Sequence, residues 1–288
     1  MGDRLASWLM AVVLAAGLVG PAAPALAQAQ AQDVPLPNFV DQRQRATRPP
    51  LPERERYRFL TSSDFPPFNF IDGRGRLTGF NVDLVRALCE ELNILDRCQI
   101  EAKPFNELVD ALNKGEGEAI VAGLAVTAAN RQTLAFTDSY FRFPARFVAR
   151  KDTALVEPMA DAVAGKPVAV VAGTAHAAML RTFFPEAEAK AFDTREAALD
   201  ALKRGEVEAM FGDGVSLSFW LGSDAAANCC AFAGGPYLSD RFLGEGLAIA
   251  VKRENADLAR AMDYAMGQIV GKKVFSELLL RYFPISAF

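Results

Sequence analysis

The sequence predicts an α/β fold made of two mostly parallel sheets, each with helices on both faces. Residues 108–120 and 198–210 lie ninety positions apart and nearly repeat each other. Each copy contains an amphipathic helix, a glycine at the helix end and an apolar strand. Further apolar strands, at residues 100–103 and 168–171, alternate with helices around both copies. The chain therefore contains two equivalent α/β units in tandem.

The ends of two predicted strands mark the place where a ligand is expected. In open α/β sheets, ligands bind beyond the carboxyl ends of the strands, where the loops diverge. Residues 122–125 follow the strand of the first copy, and residues 212–214 follow the strand of the second. We expect both loops to contribute to a ligand site.

A stretch rich in aromatic residues and proline comes before these units. Two prolines stiffen the loop between Phe65 and Phe68, because each proline fixes a backbone φ angle. Residues 68–80 alternate apolar and polar side chains around a turn with two glycines, which predicts a β-hairpin. Apolar residues then recur at helical spacing after Asn81, which is expected to cap a helix.

Length, charge and composition exclude several classes of partner. The 288 residues are 51% hydrophobic, which is enough for one large or two moderate cores. A net charge of -4 gives no basic surface for nucleic acid. Because the sequence has no motif for a metal, a cofactor or a nucleophile with its base, we expect no metal site, no cofactor and no catalytic residues. The expected partner is a small molecule bound by a monomer.

The N-terminal residues predict export. Residues 1–27 combine a basic residue, an apolar run and an Ala-Leu-Ala cleavage pattern, as in a signal peptide; a buried N-terminal helix is the alternative. No cysteine precedes Cys89, so no lipid anchor is expected. Residues 28–56, rich in proline, arginine and glutamine, predict a disordered tail. We therefore expect a protein that is free in the periplasm.

The aromatic stretch resembles that of a known family. An aromatic residue beside Pro-Phe, a hairpin with glycine and the run Gly79-Phe80-Asn81-Val82-Asp83-Leu84 resemble the N-terminal signature of the periplasmic amino-acid-binding proteins, family 3 of the extracellular solute-binding proteins. The resemblance covers roughly residues 56–283. It implies the two-lobed type II periplasmic binding protein fold, in which a ligand lies between lobes that close about a hinge.

The resemblance also implies where the two lobes begin and end. Lobe 1 would comprise residues 57–142 and 246–288, and lobe 2 would comprise residues 143–245. Two segments near residues 140–145 and 242–246 would cross between the lobes and form the hinge.

The four cysteines form two pairs for which different oxidation states are expected. Cys89 and Cys98 are separated by a short turn, and the family's lysine/arginine/ornithine- and histidine-binding members have a disulfide at this place, so we expect a bond. Two buried free thiols are the alternative. The adjacent Cys229 and Cys230 are expected to be ordinary residues at the start of a strand, with a vicinal disulfide as the alternative.

The resemblance places one half of the ligand site in lobe 1. Phe65 takes the position of an aromatic residue that stacks on the ligand, and Phe105 takes that of a second apolar wall. Burial of Phe105 in the core is the alternative. The loop that supplies further donors in the family has alanine and glycine here in place of serine. Its ligand-facing positions are Gly123, Leu124 and Ala125.

The same loop departs from the family at the residue that binds the ligand α-carboxylate. The family has an arginine three residues after a threonine, but here Asn130 fills that position and Arg131 comes one residue later. One residue rotates a helical side chain by about 100°. Arg131 is therefore either a displaced carboxylate ligand or a solvated surface charge, and an ordinary α-amino acid ligand is in doubt.

The other half of the expected site lies in lobe 2. Thr174 is expected to cap a helix whose free amides form an anion site, and Ala175 replaces a second hydroxyl of the family. His176 either faces the cleft or lies exposed in the first turn. Asp213 matches the family's carboxylate for the ligand ammonium group, and it is also a candidate helix cap.

These features predict a periplasmic solute-binding protein that captures an amino acid, or a related amine or aromatic compound, for the membrane subunits of an ABC importer. An enzyme similar to the periplasmic cyclohexadienyl dehydratases, with Asp213 or a cleft glutamate as general acid, is an alternative. A sensor that presents its closed form to a separate receptor is another.

Overall fold

The computed structural model describes residues 47–153 and 155–283. This part of the chain contains thirteen strands. They are β1 (Tyr57–Thr61), β2 (Asp64–Phe65), β3 (Asn69–Ile71), β4 (Leu77–Thr78), β5 (Cys98–Ala102), β6 (Ala119–Ile120), β7 (Leu134–Phe136), β8 (Ala145–Arg150), β9 (Pro167–Val171), β10 (Glu188–Phe192), β11 (Ala209–Asp213), β12 (Cys230–Tyr237) and β13 (Ala250–Lys252).

The same residues contain ten α-helices. They are α1 (Phe80–Glu91), α2 (Leu108–Asn113), α3 (Asn130–Thr133), α4 (Met159–Ala162), α5 (Ala175–Phe183), α6 (Arg195–Arg204), α7 (Gly214–Leu221), α8 (Asp240–Leu243), α9 (Ala256–Gly271) and α10 (Val274–Tyr282).

The strands form two five-stranded sheets and one small sheet. The first large sheet has the order β5-β1-β6-β13-β7, and the second has the order β10-β9-β11-β8-β12. The small sheet, β2-β3-β4, contains the predicted hairpin. All strands of the first large sheet come from residues assigned to lobe 1, and all strands of the second come from residues assigned to lobe 2. The two-lobed α/β prediction is confirmed, whereas the exact lobe boundaries stay a prediction.

The two sequence repeats form the same local structure. Helices α2 and α6 are each followed within two residues by a glycine in the left-handed region, Gly115 with φ of 79° and Gly205 with φ of 76°. After each glycine, the next amide donates to a carbonyl five residues earlier, at 3.0 Å in both copies. Strands β6 and β11 follow and pair in parallel with β1 and β9.

Each large sheet is mixed rather than mostly parallel. Among its described strands, two pairings are parallel and two are antiparallel. The antiparallel strands β13 and β8 follow the segments that cross between the lobes. They enter their sheets where β6 and β11 end, as the pairs Ile120 with Ala250 and Asp213 with Ala145 show. A strand that arrives from the cleft side must run against the parallel strands.

Two segments, residues 137–144 and 238–249, connect the sheets. Their backbones pair with each other. The amide of Tyr140 donates to the carbonyl of Leu247 at 2.9 Å, and the amide of Leu247 donates to the carbonyl of Phe141 at 2.7 Å. We call residues 137–144 and 238–249 the crossing segments.

Each lobe has its own aromatic core. In lobe 1, Phe68 contacts Phe80, Phe141 and Phe283, with ring centroids 5.1 to 6.1 Å apart. The corresponding cluster of lobe 2 has centroid distances from 4.7 to 6.2 Å. Its members are Phe147, Phe184, Phe211 and Tyr237. Such pairs stabilise the fold beyond the effect of burying their area.

Both cysteine pairs are oxidised in the structure. The predicted disulfide joins Cys89 to Cys98. Cys229 and Cys230 are joined as a vicinal disulfide, so the expectation that they are ordinary residues is wrong. The chain before them turns through Ala227 and Asn228, both with positive φ, and Cys230 begins strand β12. Sequence spacing alone could not predict this local geometry.

The described residues before β1 lie against lobe 1. The guanidinium of Arg48 donates to the carbonyl of Leu92, and Leu51 packs against the lobe 1 core. Arg97 donates to the carbonyl of Arg54 at 3.0 Å. The expected disordered tail therefore does not hold for residues 47–56, because their apolar and basic side chains find partners on lobe 1. The rest of that segment, residues 28–46, and the predicted signal peptide lie outside the described residues.

Within the described ranges, no helix is long and apolar enough to cross a membrane.

Candidate ligand-binding site

A pocket of about 270 Å³ lies at the carboxyl end of the first sheet. We call it the lobe 1 pocket. Two phenyl rings and one carboxylate give it an apolar wall and a negative charge. Its lining residues are Ser62, Asp64, Phe65, Phe105, Ala122 and Gly123.

The aromatic wall is held in place by packing beneath it. The ring of Phe65 stacks on buried Phe68 with 4.8 Å between centroids and 20° between planes. Gly123 has φ of 75°, and a Cβ there would lie 3.0 Å from the Phe65 ring. The glycine therefore permits both this turn and the close approach of the ring. Phe105 is 44% exposed, so it is not a core residue.

The loop that follows β6 does not direct a basic group into the pocket. The side-chain amide of Asn130 donates to the carbonyl of Ala125 at 2.7 Å, which turns it back onto its own loop. Arg131 forms an ion pair of 2.6 Å with Glu245, and both side chains are about half exposed. Leu124 packs partly buried against a lobe 1 core cluster. None of these four loop residues lines the lobe 1 pocket.

A second, smaller pocket of about 120 Å³ lies at the carboxyl end of β11. We call it the lobe 2 pocket. Its polar lining consists of Thr174, His176, Arg195, Asp213 and Ser216. Apolar side chains from β9, β11 and α7 complete its floor. The predicted residues Thr174, His176 and Asp213 are thus brought together, whereas Ala175 is exposed beside the pocket.

Asp213 has the capping role that its sequence position predicts, and its carboxylate also lines the lobe 2 pocket. It caps α7, because its Oδ2 accepts the amide of Ser216 at 2.9 Å and the Ser216 hydroxyl at 2.5 Å. Its Oδ1 receives only a long contact of 3.4 Å from the amide of Val215. That oxygen keeps the capacity to accept a hydrogen bond from a ligand.

His176 lines the lobe 2 pocket rather than lying exposed. Burial lowers the pKa of its imidazole, and the nearby charge of Asp213 partly opposes that shift. The ring is therefore neutral at pH 7. Its Nε2 atom is buried and has no hydrogen-bond partner in the described part of the chain. A neutral imidazole beside a carboxylate suits a ligand group that donates hydrogen bonds.

Thr174 caps the neighbouring helix as predicted. Its Oγ1 accepts the amide of Ala177 at 3.2 Å and donates to the carbonyl of Val171 at 2.8 Å. The helix α5 therefore begins at the pocket wall with its first amides near the cavity.

Four polar pocket residues were not predicted from the sequence. Ser62 and Asp64 come just before Phe65, so their place in the aromatic stretch was a usable signal. Ser216 follows Asp213 by three residues, the spacing of a helix cap and its partner. Arg195 comes from α6 and pairs with Glu196 at 3.1 Å; no local sequence pattern indicates that it lines the lobe 2 pocket.

The two pockets contain acceptors and aromatic surface rather than metal ligands. In residues 47–153 and 155–283, no group of three His, Cys, Asp or Glu side chains could hold a metal ion. The arrangement can bind a small molecule through hydrogen bonds, charge and ring contacts.

Comparison with known proteins agrees with this arrangement. The family model of the bacterial extracellular solute-binding proteins, family 3, matches residues 57–285. The L-arginine-binding protein of Pseudomonas aeruginosa is 30% identical over 227 residues, which are 78% of this chain and 86% of that protein. The lysine/arginine/ornithine-binding periplasmic protein of Escherichia coli is 24% identical over 236 residues, 81% of this chain and 90% of that protein.

A solved structure shows the same fold. Substrate-binding domain 2 of GlnP from Lactococcus lactis, in an open conformation, superposes with a TM-score of 0.66 at 18% identity. The match covers 83% of this chain and all of that domain. Together with the family match over nearly the whole described chain, this similarity identifies a solute-binding protein of the type II fold. The chain belongs to the bacterial extracellular solute-binding proteins, family 3.

Proposed function

We propose that this protein captures a small organic cation without an α-carboxylate and delivers it to the membrane subunits of an ABC importer. The observation that carries the proposal is the negative charge of the lobe 1 pocket. Asp64 lines that pocket and no lysine or arginine does, whereas Asp213 lines the lobe 2 pocket together with Arg195. A ligand carboxylate in the lobe 1 pocket would meet a negative charge instead of the expected arginine.

The displaced arginine supports the same proposal. Arg131 is already paired with Glu245 and lines neither pocket. To contact a ligand, Arg131 would have to break that ion pair and turn its side chain to another side of the first turn of α3. The loss of the family's arginine and of its serine hydroxyls in one loop is consistent with a ligand that lacks the group they bind.

The cation would be recognised in two ways. Oδ1 of Asp213 and the neutral imidazole of His176 would accept hydrogen bonds from an ammonium or guanidinium group. The rings of Phe65 and Phe105 would hold the apolar or flat body of the ligand, with a cation–π contribution where charge lies over a ring.

We further propose that the lobes are residues 57–142 with 246–288 and residues 143–245, and that they close on the ligand about the crossing segments. The protein would act as a monomer in the periplasm after removal of residues 1–27. The relatives named as periplasmic and as binding arginine, lysine or ornithine support this location and a basic ligand. We propose that the ligand is bound without being converted.

Matched pairs of ligands test this proposal. Calorimetry would compare arginine with agmatine, lysine with cadaverine and histidine with histamine, since each pair differs only by the α-carboxylate. We expect at least one amine to bind at least tenfold more tightly than its amino acid, and Asp213→Asn to weaken the binding of that amine at least tenfold. Mass spectrometry after incubation should recover the amine unchanged.

One observation favours a second candidate, a zwitterionic amino acid. Arg195 lines the lobe 2 pocket and could hold a carboxylate there if it left Glu196. Tighter binding of an amino acid than of its amine, lost in Arg195→Ala or in Arg131→Ala, would replace the proposed ligand class with this one. Failure of all six compounds to bind would contradict both.

A further inference from the structure

A buried chain of hydrogen bonds connects the first crossing segment to the lobe 1 pocket. The Tyr140 hydroxyl donates to Asn81 Oδ1 at 2.8 Å. The Asn81 amide nitrogen donates to Asn69 Oδ1 at 2.8 Å. The Asn69 amide nitrogen then lies 3.0 Å from both the carbonyl and the hydroxyl oxygen of Ser62. All four residues are at most 8% exposed.

The hydrogen bonds of this chain all point in one direction. Burial raises the pKa of the Tyr140 hydroxyl, so that group remains an O–H donor at the start of the chain. Each amide accepts through oxygen from one neighbour and donates through nitrogen to the next. The Ser62 hydroxyl oxygen accepts the last of these bonds, which leaves its own hydrogen to be donated.

Ser62 is also a wall of the lobe 1 pocket. No described residue accepts a hydrogen bond from its hydroxyl in the structure, although the residue is only 1% exposed. A buried hydroxyl hydrogen without an acceptor is costly, and the adjoining pocket is where an acceptor can enter.

We infer that Tyr140, Asn81 and Asn69 are positioning residues that aim the Ser62 hydroxyl into the lobe 1 pocket as a hydrogen-bond donor and join that pocket to the crossing segment. The inference rests on the proposed function for the existence of a ligand there. It adds that the ligand group beside Ser62 is a hydrogen-bond acceptor.

The other end of this hydrogen-bond network lies in the first crossing segment, at Tyr140. The backbone amide of Tyr140 donates a hydrogen bond to the carbonyl of Leu247 in the other crossing segment, so the tyrosine belongs to the proposed hinge. Hydrogen bonds in a buried chain polarise one another, and a change at one end alters the strength of the next bond. An acceptor bound by Ser62 therefore strengthens the contacts that hold Tyr140.

A double-mutant cycle in the unliganded full chain tests the connection. Ser62→Ala and Tyr140→Phe each remove one hydroxyl and keep the side-chain shape, and they lie at opposite ends of the chain. We expect the unfolding equilibrium constant of the double variant to differ at least threefold from the product of the two single effects, because the residues share one network. A departure below threefold would overturn the connection.

Tyr57→Phe is the matched control. Tyr57 is also a buried tyrosine of the lobe 1 core, but its hydroxyl donates to the carbonyl of Pro52, which is not part of the hydrogen-bond network of Tyr140 and Ser62. The unfolding equilibrium constant of the variant that combines Tyr57→Phe with Ser62→Ala should stay within threefold of the value given by the product of the two single effects. An equally large departure in this control would show general softening of the core, and the inference would fall.

Histamine and cadaverine test the donor. Histamine carries an imidazole nitrogen that can accept, whereas cadaverine has only ammonium donors. We expect Ser62→Ala and Tyr140→Phe to weaken histamine binding at least fivefold and to leave cadaverine within fivefold. The assigned donor would be overturned by a smaller loss of histamine affinity or by an equal loss of affinity for both amines. It would also be overturned if the wild-type protein bound cadaverine but not histamine. If no amine binds, the proposed function fails. The double-mutant cycle on unfolding still tests whether Ser62 and Tyr140 are connected.

Discussion

Arg131 and Glu245 form an ion pair of 2.6 Å that joins helix α3 to the second crossing segment. Arg131 is thus tied to the second crossing segment and lines neither the lobe 1 pocket nor the lobe 2 pocket. The ring of Phe136 lies 5.8 Å from the guanidinium carbon and covers one side of the charge. These two contacts explain the position of the Arg131 side chain, which comes one residue after the arginine position of the family pattern.

Removal of this guanidinium should therefore change little. We expect Arg131→Ala to leave the dissociation constant of the tightest of the three amines within twofold of wild type. Its effect on the free energy of unfolding should be below about 1 kcal/mol, because both partners are about half exposed. Calorimetry and urea unfolding measure the two effects, with Glu245→Gln as the matched variant. A tenfold loss of binding in Arg131→Ala alone would show that the arginine reaches the ligand.

Much of the fold followed from periodicity and turn residues. Gly115 and Gly205 ended two equivalent helices, and the apolar strands after them identified the ends of the sheets. Local patterns carry that information because helix caps and strand alternation act over a few residues. The mixed character of the sheets was not predictable in this way, since β8 and β13 take their direction from the crossing segments.

The candidate site was only partly predictable. Phe65 and Asp213 follow from their positions at a stiff loop and a strand end. Asn81 was expected to cap α1, yet Gly79 occupies the cap position and the Asn81 amide bonds to Asn69 and Tyr140. Such long-range polar contacts arise from tertiary packing and leave no periodic signal in the sequence. Arg195 escaped for the same reason.

The disulfide between Cys89 and Cys98 should stabilise lobe 1. It closes a loop of 9 residues between the end of α1 and the start of β5, and a loop of that size contributes about 2 to 3 kcal/mol through the unfolded chain. Substituting both cysteines by serine should lower the melting temperature without preventing folding. This variant is preferable to chemical reduction, which would also open the Cys229–Cys230 bond. An unchanged melting temperature, or two free thiols in non-reducing peptide maps of the wild type, would contradict the prediction.

The affinity for cadaverine should fall as the pH is lowered from 7 to 5. Burial lowers the pKa of His176, and a bound ammonium group beside it would lower that pKa further. Binding the cation therefore releases any proton held by His176, so affinity rises with pH. Cadaverine itself does not titrate in this range. Asp213 and Arg195 are the charged groups that line the same pocket.

His176→Gln provides the matched variant, because glutamine can still accept a hydrogen bond but has no proton to lose. Its dissociation constant for cadaverine should be nearly independent of pH between 5 and 7. If the wild type shows the same flat profile, His176 does not contact the cation. If the variant keeps the wild-type slope, another group is responsible.

The carboxyl group of Asp263 in α9 lies next to the start of the first crossing segment. Its Oδ1 accepts the amide of Asp138 at 2.9 Å. Burial raises the pKa of Asp263 from 3.8 to about 6, and the charge of Asp138 adds to that shift. A carboxyl with a raised folded pKa stabilises the protein fully below the unfolded pKa. That stability is lost as the pH rises through the folded pKa.

Asp263→Asn should therefore be more stable than the wild type at pH 7 and equally stable at pH 4. Asparagine keeps the acceptor for Asp138 and carries no charge. The full shift corresponds to about 3 kcal/mol, but the carboxyl is only partly buried, so screening by water reduces the expected gain to about 1 kcal/mol. Urea unfolding at pH 4, 5, 6 and 7 measures it. Asp138→Asn should give a smaller gain, since burial rather than the neighbouring charge is the main cause, and a variant less stable than the wild type at pH 7 would contradict this account.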